Sequence, residues 1–341
     1  MVSKSFVASC TYIKRGGTIL LMSVAFTVVL VPIQMLRSLA NYRKGADYFS
    51  DPLGKASLLT YWKSLAEFAY RTLRLLSKRP SGVALAAVED SGDGVAVADK
   101  GAYLEFTPPG QQQEPAGAGS ATDQPLVGVV ILPGAFVPPL AYAPLARSMA
   151  QKGHPSYVVR FDFDVAFYGW ERIGEIIPPL PTTTADGSAA PDAPAEKSRV
   201  AASTPTKWVL VGHSLGTMAT EKWYPENSAR VHGVVYMGSG NLIGDALAGA
   251  GVPAMILRGS RDPFTPPEAL KKSAHKLPKD TETVVIEGGN HRGFGHYTRQ
   301  PLDWEATITP EEQQRVVVDA LVDFIGRRVI SGEPSTAATA S

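Results

Sequence analysis

From Leu126 onward the chain alternates two hydrophobic periods, and that alternation restricts the fold more than any other feature. The stretches 127–132, 157–163, 208–211, 231–237, 254–258 and 283–286 are nearly continuous in apolar residues, the pattern of strands buried on both faces. Between them, 141–151, 215–224, 267–276 and 310–327 carry helical spacing. Buried strands separated by helices predict an α/β domain over 126–328, a mostly parallel sheet with helices on both faces. With 44% hydrophobic and 19% charged residues the chain can bury such a core. Its 33 basic and 32 acidic residues leave a net charge of +1, so no uncompensated basic surface points to a nucleic-acid partner. The lone cysteine, Cys10, excludes an intrachain disulfide framework and a Cys-built zinc site.

Upstream of that domain the composition changes. No charged residue falls between Arg15 and Arg37, and a helix over 16–36 would be about 31 Å long, the thickness of a bilayer's hydrocarbon core. Residues 1–54 are therefore read as a tail containing a single membrane anchor. A processed targeting sequence is the competing reading, with Ser38-Leu39-Ala40 as a weak cleavage site and no acid before Asp47. Basic residues flank both ends, so sidedness is not assigned. Residues 55–79 form a basic amphipathic pattern that suits either a bilayer interface or docking on the α/β domain. Residues 80–125 read as short strands over 83–107 and an exposed loop over 108–125. The Pro/Ala/Thr/Ser-rich stretch 178–206 is a surface insertion with too few large apolar residues to order itself or to serve as a typical lid. Residues 329–341 read as a disordered tail.

The chemistry is concentrated at predicted strand ends. Gly212-His213-Ser214-Leu215-Gly216 follows one strand and opens a helix, which is the setting a G-x-S-x-G nucleophile elbow requires. A serine hydroxyl is a weak nucleophile; it needs a base, and the base needs an orienting acid. Asp262 leaves the end of the strand at 254–258, and His291 leaves the end of the next, through Gly288-Gly289-Asn290. Active sites of open parallel sheets lie at these carboxyl ends. His296 is a rival base further from its strand. His213 is expected to turn its side chain elsewhere, and Asp162 and Asp164 come too early for the acid and read as loop polars or ion-pair partners. The backbone amides of Leu215 and Ala135 are the candidate oxyanion donors. Gly238-Ser239-Gly240 lacks the register of a dinucleotide loop and carries no assignment.

With those residues in view, the chain resembles the α/β-hydrolase superfamily, and more narrowly the "alpha/beta hydrolase fold-5" group related to dienelactone-hydrolase-like enzymes. The resemblance spans 126–327. It rests on Leu132-Pro133-Gly134 with Tyr142-Ala143-Pro144-Leu145-Ala146, on the elbow, on Arg258-Gly259-Ser260-Arg261-Asp262, and on the stretch from Ile286 through His291 to Gln314. It implies Ser214 as nucleophile, Asp262 as acid and His291 as base. Ala135 and Thr217 stand where glycine is frequent in the family, and the nucleophile is Ser where dienelactone hydrolases have Cys. The expectation is a membrane-anchored serine hydrolase acting on an ester, thioester or similar acyl bond of a small, lipid-like substrate, with no metal and no organic cofactor. A non-catalytic binding or scaffold module on the same fold is the alternative. Oligomeric state is not legible.

Overall fold

The computed structural model describes residues 78–89, 91–111, 125–180, 205–240, 242, 244–298 and 300–335. The expected anchor at 16–36, the amphipathic stretch up to 77 and most of the 178–206 insertion lie outside these residues. Among the described residues no helix is long and apolar enough to cross a membrane.

Eight strands form one sheet in the order β1-β2-β4-β3-β5-β6-β7-β8. They are β1 (Ala96–Asp99), β2 (Tyr103–Thr107), β3 (Val127–Leu132), β4 (Ser156–Val159), β5 (Lys207–His213), β6 (Gly233–Met237), β7 (Ala254–Gly259) and β8 (Glu282–Ile286). From β4 to β8 every pairing is parallel, while β1 and β2 add an antiparallel edge. The sheet thus begins well before residue 126, where the sequence pattern placed its start.

The continuous apolar strands serve two cores at once. Val129 and Ile131 of β3, Val209 and Val211 of β5, and Met255 and Leu257 of β7 face one side with Leu145, Leu321 and Phe324. Their neighbours Val130, Leu132, Leu210 and Ile256 face the other with Trp223 and Ala219. Alternation along a strand sends successive side chains to opposite faces, so a strand covered on both sides must be apolar throughout. The first face is covered by α2 (Ala143–Gln151) and α6 (Pro310–Phe324), the second by α4 (Thr217–Asn227), with α5 (Pro267–Ser273) following β7. Helix α6 starts where Thr309 and Glu312 form a reciprocal capping box with Pro310 in the first turn.

Three expectations from the sequence need correction. Residues 82–86 form a short helix, α1 (Gly82–Ala86), where strands were expected, because the Ser81 hydroxyl accepts the Ala84 amide and caps it. Lys78 and Arg79, assigned to an amphipathic helix, lie in no helix: Pro80 bridges antiparallel to Tyr297, and the Thr298 amide donates to Arg79. The last helix continues through a π-helical turn to Ile330, with Arg328 and Val329 buried, so ordered chain extends into the expected tail. Between β4 and β5, α3 (Ile173–Ile176) seats Ile173 and Ile176 in the second core.

Candidate active site

Five non-glycine residues among those described have φ in the left-handed region: Phe136 (56°), Phe163 (56°), Asp164 (55°), Ser214 (51°) and Leu302 (66°). All five lie in segments that follow the carboxyl ends of parallel strands β3, β4, β5 and β8. Such conformations cost on the order of 1–3 kcal/mol each and persist where surrounding structure enforces them. The strain is therefore collected along the edge where sequence reasoning put the chemistry.

Ser214 is held by its neighbours' lack of side chains. A Cβ on Gly216 would run into the carbonyl oxygens of Leu132 and Pro133, and one on Gly212 would stand 3.0 Å from the Thr217 backbone. Glycine at 216 lets the elbow press against the end of β3, and glycine at 212 lets the turn close on Thr217. Thr217, where the family often has glycine, uses its hydroxyl to donate to the Ser214 carbonyl at 2.8 Å, tightening the turn.

Asp262 and His291, from the ends of β7 and β8, meet directly. His291 Nδ1 lies 2.9 Å from Asp262 Oδ2, and both residues are buried. The carboxylate also accepts the Thr265 hydroxyl at 2.5 Å and the Phe264 amide at 2.8 Å. Burial disfavours its charge, but the bonds from His291, Thr265 and Phe264 outweigh burial and hold the carboxyl below its ordinary pKa. With Nδ1 engaged, Nε2 is the ring nitrogen left for chemistry. Gly238, at the end of β6, has φ of 55°, and a Cβ there would lie 3.0 Å from His291 Nδ1 and 3.2 Å from Asp262 Oδ2. The unassigned Gly-Ser-Gly after β6 therefore makes room for this pair.

The histidine's backbone is fixed from two sides. Gln313 of α6, fully buried, accepts the Asn290 amide at 3.0 Å and donates to the Asn290 carbonyl at 2.8 Å. Asp303 accepts the amides of His291 at 3.2 Å and Arg292 at 2.8 Å. The rival His296 is held away from Asp262: its amide donates to Ala141 and its ring lies 4.0 Å from Glu311. Asp162 pairs with Arg172 at 2.7 Å, in keeping with its reading as an ion-pair partner.

His213, expected to turn its side chain elsewhere, lies against the His291–Asp262 pair. The His213 ring packs 4.7 Å from the His291 ring, and its Nδ1 lies 2.6 Å from Tyr142 Oη. Burial, with the neighbouring His291 and Lys78 charges, drives His213 well below the ordinary histidine range and keeps it neutral. Tyr142 Oη also accepts the Gly134 amide at 2.9 Å, joining the elbow to the loop after β3. No hydrogen bond joins the Ser214 hydroxyl to His291 among the described residues.

The loop after β3 is a β-turn closed by the Val137 amide on the Gly134 carbonyl at 3.2 Å. Phe136, at its third position, has the left-handed φ of a type II turn. Gly134 donates to Tyr142, Phe136 to the Asp164 carbonyl at 2.7 Å, and Val137 to Gly134. That leaves Ala135 as the amide of this run with no acceptor among the described residues. The Leu215 amide, at the start of the turn into α4, is likewise without one.

Sequence reasoning missed Lys78. Its Nζ donates to the Ala135 carbonyl at 3.0 Å, its amide donates to the Phe136 carbonyl at 2.8 Å, and the ammonium lies 5.0 Å from the centre of the Tyr297 ring. Burial lowers its pKa to about 8, with the Asp303 charge opposing the shift. The described residues contain no cluster of His, Cys, Asp and Glu able to hold a metal ion.

The chain is similar to several solved structures. Est1E from Butyrivibrio proteoclasticus is 13% identical, with 69% of this chain and 100% of that one aligned at a TM-score of 0.43. A ferulic acid esterase from Streptomyces cinnamoneus is 15% identical over 70% of this chain and 85% of its own, at 0.44. Dienelactone hydrolase from Anabaena variabilis is 15% identical over 68% and 95%, at 0.43. No curated protein matches the chain. The Alpha/beta hydrolase family, by contrast, matches over residues 128–185 and 192–315, more than half the chain and every strand from β5 to β8. Sheet order, elbow and family match agree, and the chain belongs to the alpha/beta hydrolase family.

Proposed function

We propose that this hydrolase cleaves an ester, thioester or related acyl bond through a Ser214–His291–Asp262 triad and an acyl-enzyme intermediate. Ser214 Oγ attacks the carbonyl carbon while His291 Nε2 takes its proton. The same proton passes to the leaving oxygen or sulfur as the acyl bond breaks. Water, deprotonated by His291, then attacks the acyl-serine, releasing the acid and restoring the hydroxyl. Asp262 keeps Nδ1 protonated and stabilises the imidazolium. The amides of Leu215 and Ala135 hold the oxyanion.

The observation that carries this reading is the conjunction of a left-handed, glycine-flanked Ser214 with a buried His291–Asp262 pair at neighbouring strand ends. The unengaged Ala135 amide supports the oxyanion assignment. The uncharged run 16–36 supports a membrane anchor, and a substrate partitioned into the bilayer would then lie within reach.

Turnover of p-nitrophenyl esters from acetate to palmitate by the full chain, free and in vesicles, tests both parts. Ser214→Ala and His291→Ala are each expected to lower kcat on the order of 10⁴-fold or more. Rates that favour acetate strongly over long chains would remove the lipid-like substrate. A folded chain that turns over no ester would favour the binding module.

A further inference from the structure

Large apolar side chains are held in water at two places along the catalytic edge. Among the described residues the exposed Phe and Trp side chains are Phe163 (70%), Phe167 (41%) and Trp304 (57%), and Leu302 beside Trp304 is 48% exposed. Single surface valines and leucines are ordinary, but exposed aromatics confined to two loops mark a contact surface. The loops follow the carboxyl ends of β4 and β8, and β5, which leads to Ser214, lies between those strands in the sheet. Each loop is fastened to backbone that builds the site. The Asp164 carbonyl accepts the Phe136 amide at 2.7 Å, next to the candidate oxyanion donor Ala135. The Asp303 carboxylate accepts the amides of His291 and Arg292, and the Trp304 carbonyl accepts Asn290 Nδ2 at 2.6 Å. Phe163 and Leu302 also have left-handed φ, 56° and 66°, which only glycine adopts without strain. The strain holds these side chains out in solvent, so core packing does not account for it.

The occupant that fits this surface is a bilayer leaflet. Aromatic side chains suit the membrane interface, where a ring leaves water while polar atoms nearby keep it. The charges beside the aromatics are matched and not of one sign: Asp162 pairs with Arg172 at 2.7 Å, and Asp303 binds two amides. That favours lipid over a charged macromolecule. The described chain also enters at this edge, where the Lys78 amide and ammonium donate to the Phe136 and Ala135 carbonyls at 2.8 and 3.0 Å. Residues 1–77, with the uncharged run 16–36, are therefore joined to the domain beside these loops. We infer that the 163–167 and 302–304 loops are a bilayer-docking rim, which sets the edge carrying Ser214 against a leaflet so that an acyl chain reaches the serine without crossing water. The inference deepens the acyl-hydrolase reading above and rests on it for the substrate, though not for the docking.

The test uses the full chain in phosphatidylcholine vesicles, with tryptophan fluorescence quenched either by lipid brominated on its acyl chains or by aqueous iodide. Trp304→Phe identifies the part of the signal that belongs to Trp304 among the five tryptophans. Brominated lipid should quench that part, and iodide should not. Quenching by iodide would put the rim in water. Shielding from both quenchers would put another part of this chain, or a second copy, on it. Either result overturns the inference. Turnover gives a second readout. Phe163→Gly combined with Trp304→Ser should lower the ratio of p-nitrophenyl palmitate turnover in vesicles to p-nitrophenyl acetate turnover in water by about tenfold, the factor for withdrawing one such side chain from an apolar medium. The melting temperature should not fall, since glycine relieves the strain at 163, so a lower ratio would not reflect unfolding. An unchanged ratio would overturn the inference. Lipid quenching of Trp304 in a chain that turns over no ester would overturn the hydrolase reading and leave the docking rim standing.

Discussion

Gly216→Ala is the sharpest perturbation of the elbow. The added methyl would lie 2.7 Å from the Pro133 carbonyl oxygen and 2.8 Å from the Leu132 carbonyl carbon, with the Leu132 oxygen nearer still. A comfortable carbon–oxygen contact is roughly 3.3 Å, so the shortfall is at least about half an ångström. The obstructing atoms are backbone at the end of β3, with no side chain able to swing aside. The elbow and the 133–137 turn must separate. Overpacking of this kind costs about 3 kcal/mol, which at an unfolding entropy of about 2.1 cal/mol/K per residue lowers the Tm of a chain this long by roughly 4 °C. Ser214 and the Ala135 amide sit on the two parts that move apart, and a displacement approaching 1 Å costs about a hundredfold in rate. Gly326→Ala is the control: nothing lies within 4 Å of a Cβ there and its φ is ordinary, so a gain of about 0.4–1 kcal/mol is expected with unchanged reactivity. Melting by calorimetry and inactivation by a fluorophosphonate read both effects. A Gly216→Ala protein as stable and as reactive as wild type would refute the close packing of elbow on turn.

Other consequences follow from polar groups that have one partner to lose. Tyr142→Phe strands the Gly134 amide and His213 Nδ1, both buried, and should cost about 1–3 kcal/mol, read as a lower urea midpoint at unchanged slope. Glu282 opposes burial with bonds from Arg327 and Arg328, which hold its carboxyl below the ordinary value. Its stabilisation is therefore present above the unfolded-state pKa of about 4.3 and lost as pH falls through the lower folded value. Glu282→Gln should accordingly destabilise by about 1–3 kcal/mol at pH 7, with the gap from wild type closing below about pH 4. A gap that stayed constant down to pH 3 would contradict that assignment.

What the sequence revealed and what it hid divide along one physical line. The buried strands were legible because coverage on both faces leaves no room for polar alternation. The strand-end positions of Ser214, Asp262 and His291 were legible because each follows such a strand, and the tight turn at 214 because of Gly212 and Gly216. The supports were not, because their signals are ambiguous without contacts. Lys78 sits among basic residues of an amphipathic pattern and reads as solvent-facing; only the fold brings it to the Ala135 carbonyl. Gly238 belongs to a Gly-Ser-Gly that matches no phosphate loop, and its use, space for the His291–Asp262 pair, depends on β6 lying beside β7. Gln313 looks like any helix polar residue, yet grips both polar backbone groups of Asn290 from 23 positions away. Val83 and Leu85 alternate with Ala84 as in a strand, but both are exposed while Ala84 is buried, and the Ser81 cap decides for helix.

The central claim is that Ser214 is an activated nucleophile. The most direct measurement is mass spectrometry of the intact full chain after reaction with a fluorophosphonate, followed by peptide mapping of the adduct. The account predicts one adduct per chain on Ser214, absent in Ser214→Ala and slowed on the order of 10⁴-fold in Asp262→Asn, where the ring loses its orienting charge. An adduct on another residue, or a folded wild type that stays unmodified, would contradict it.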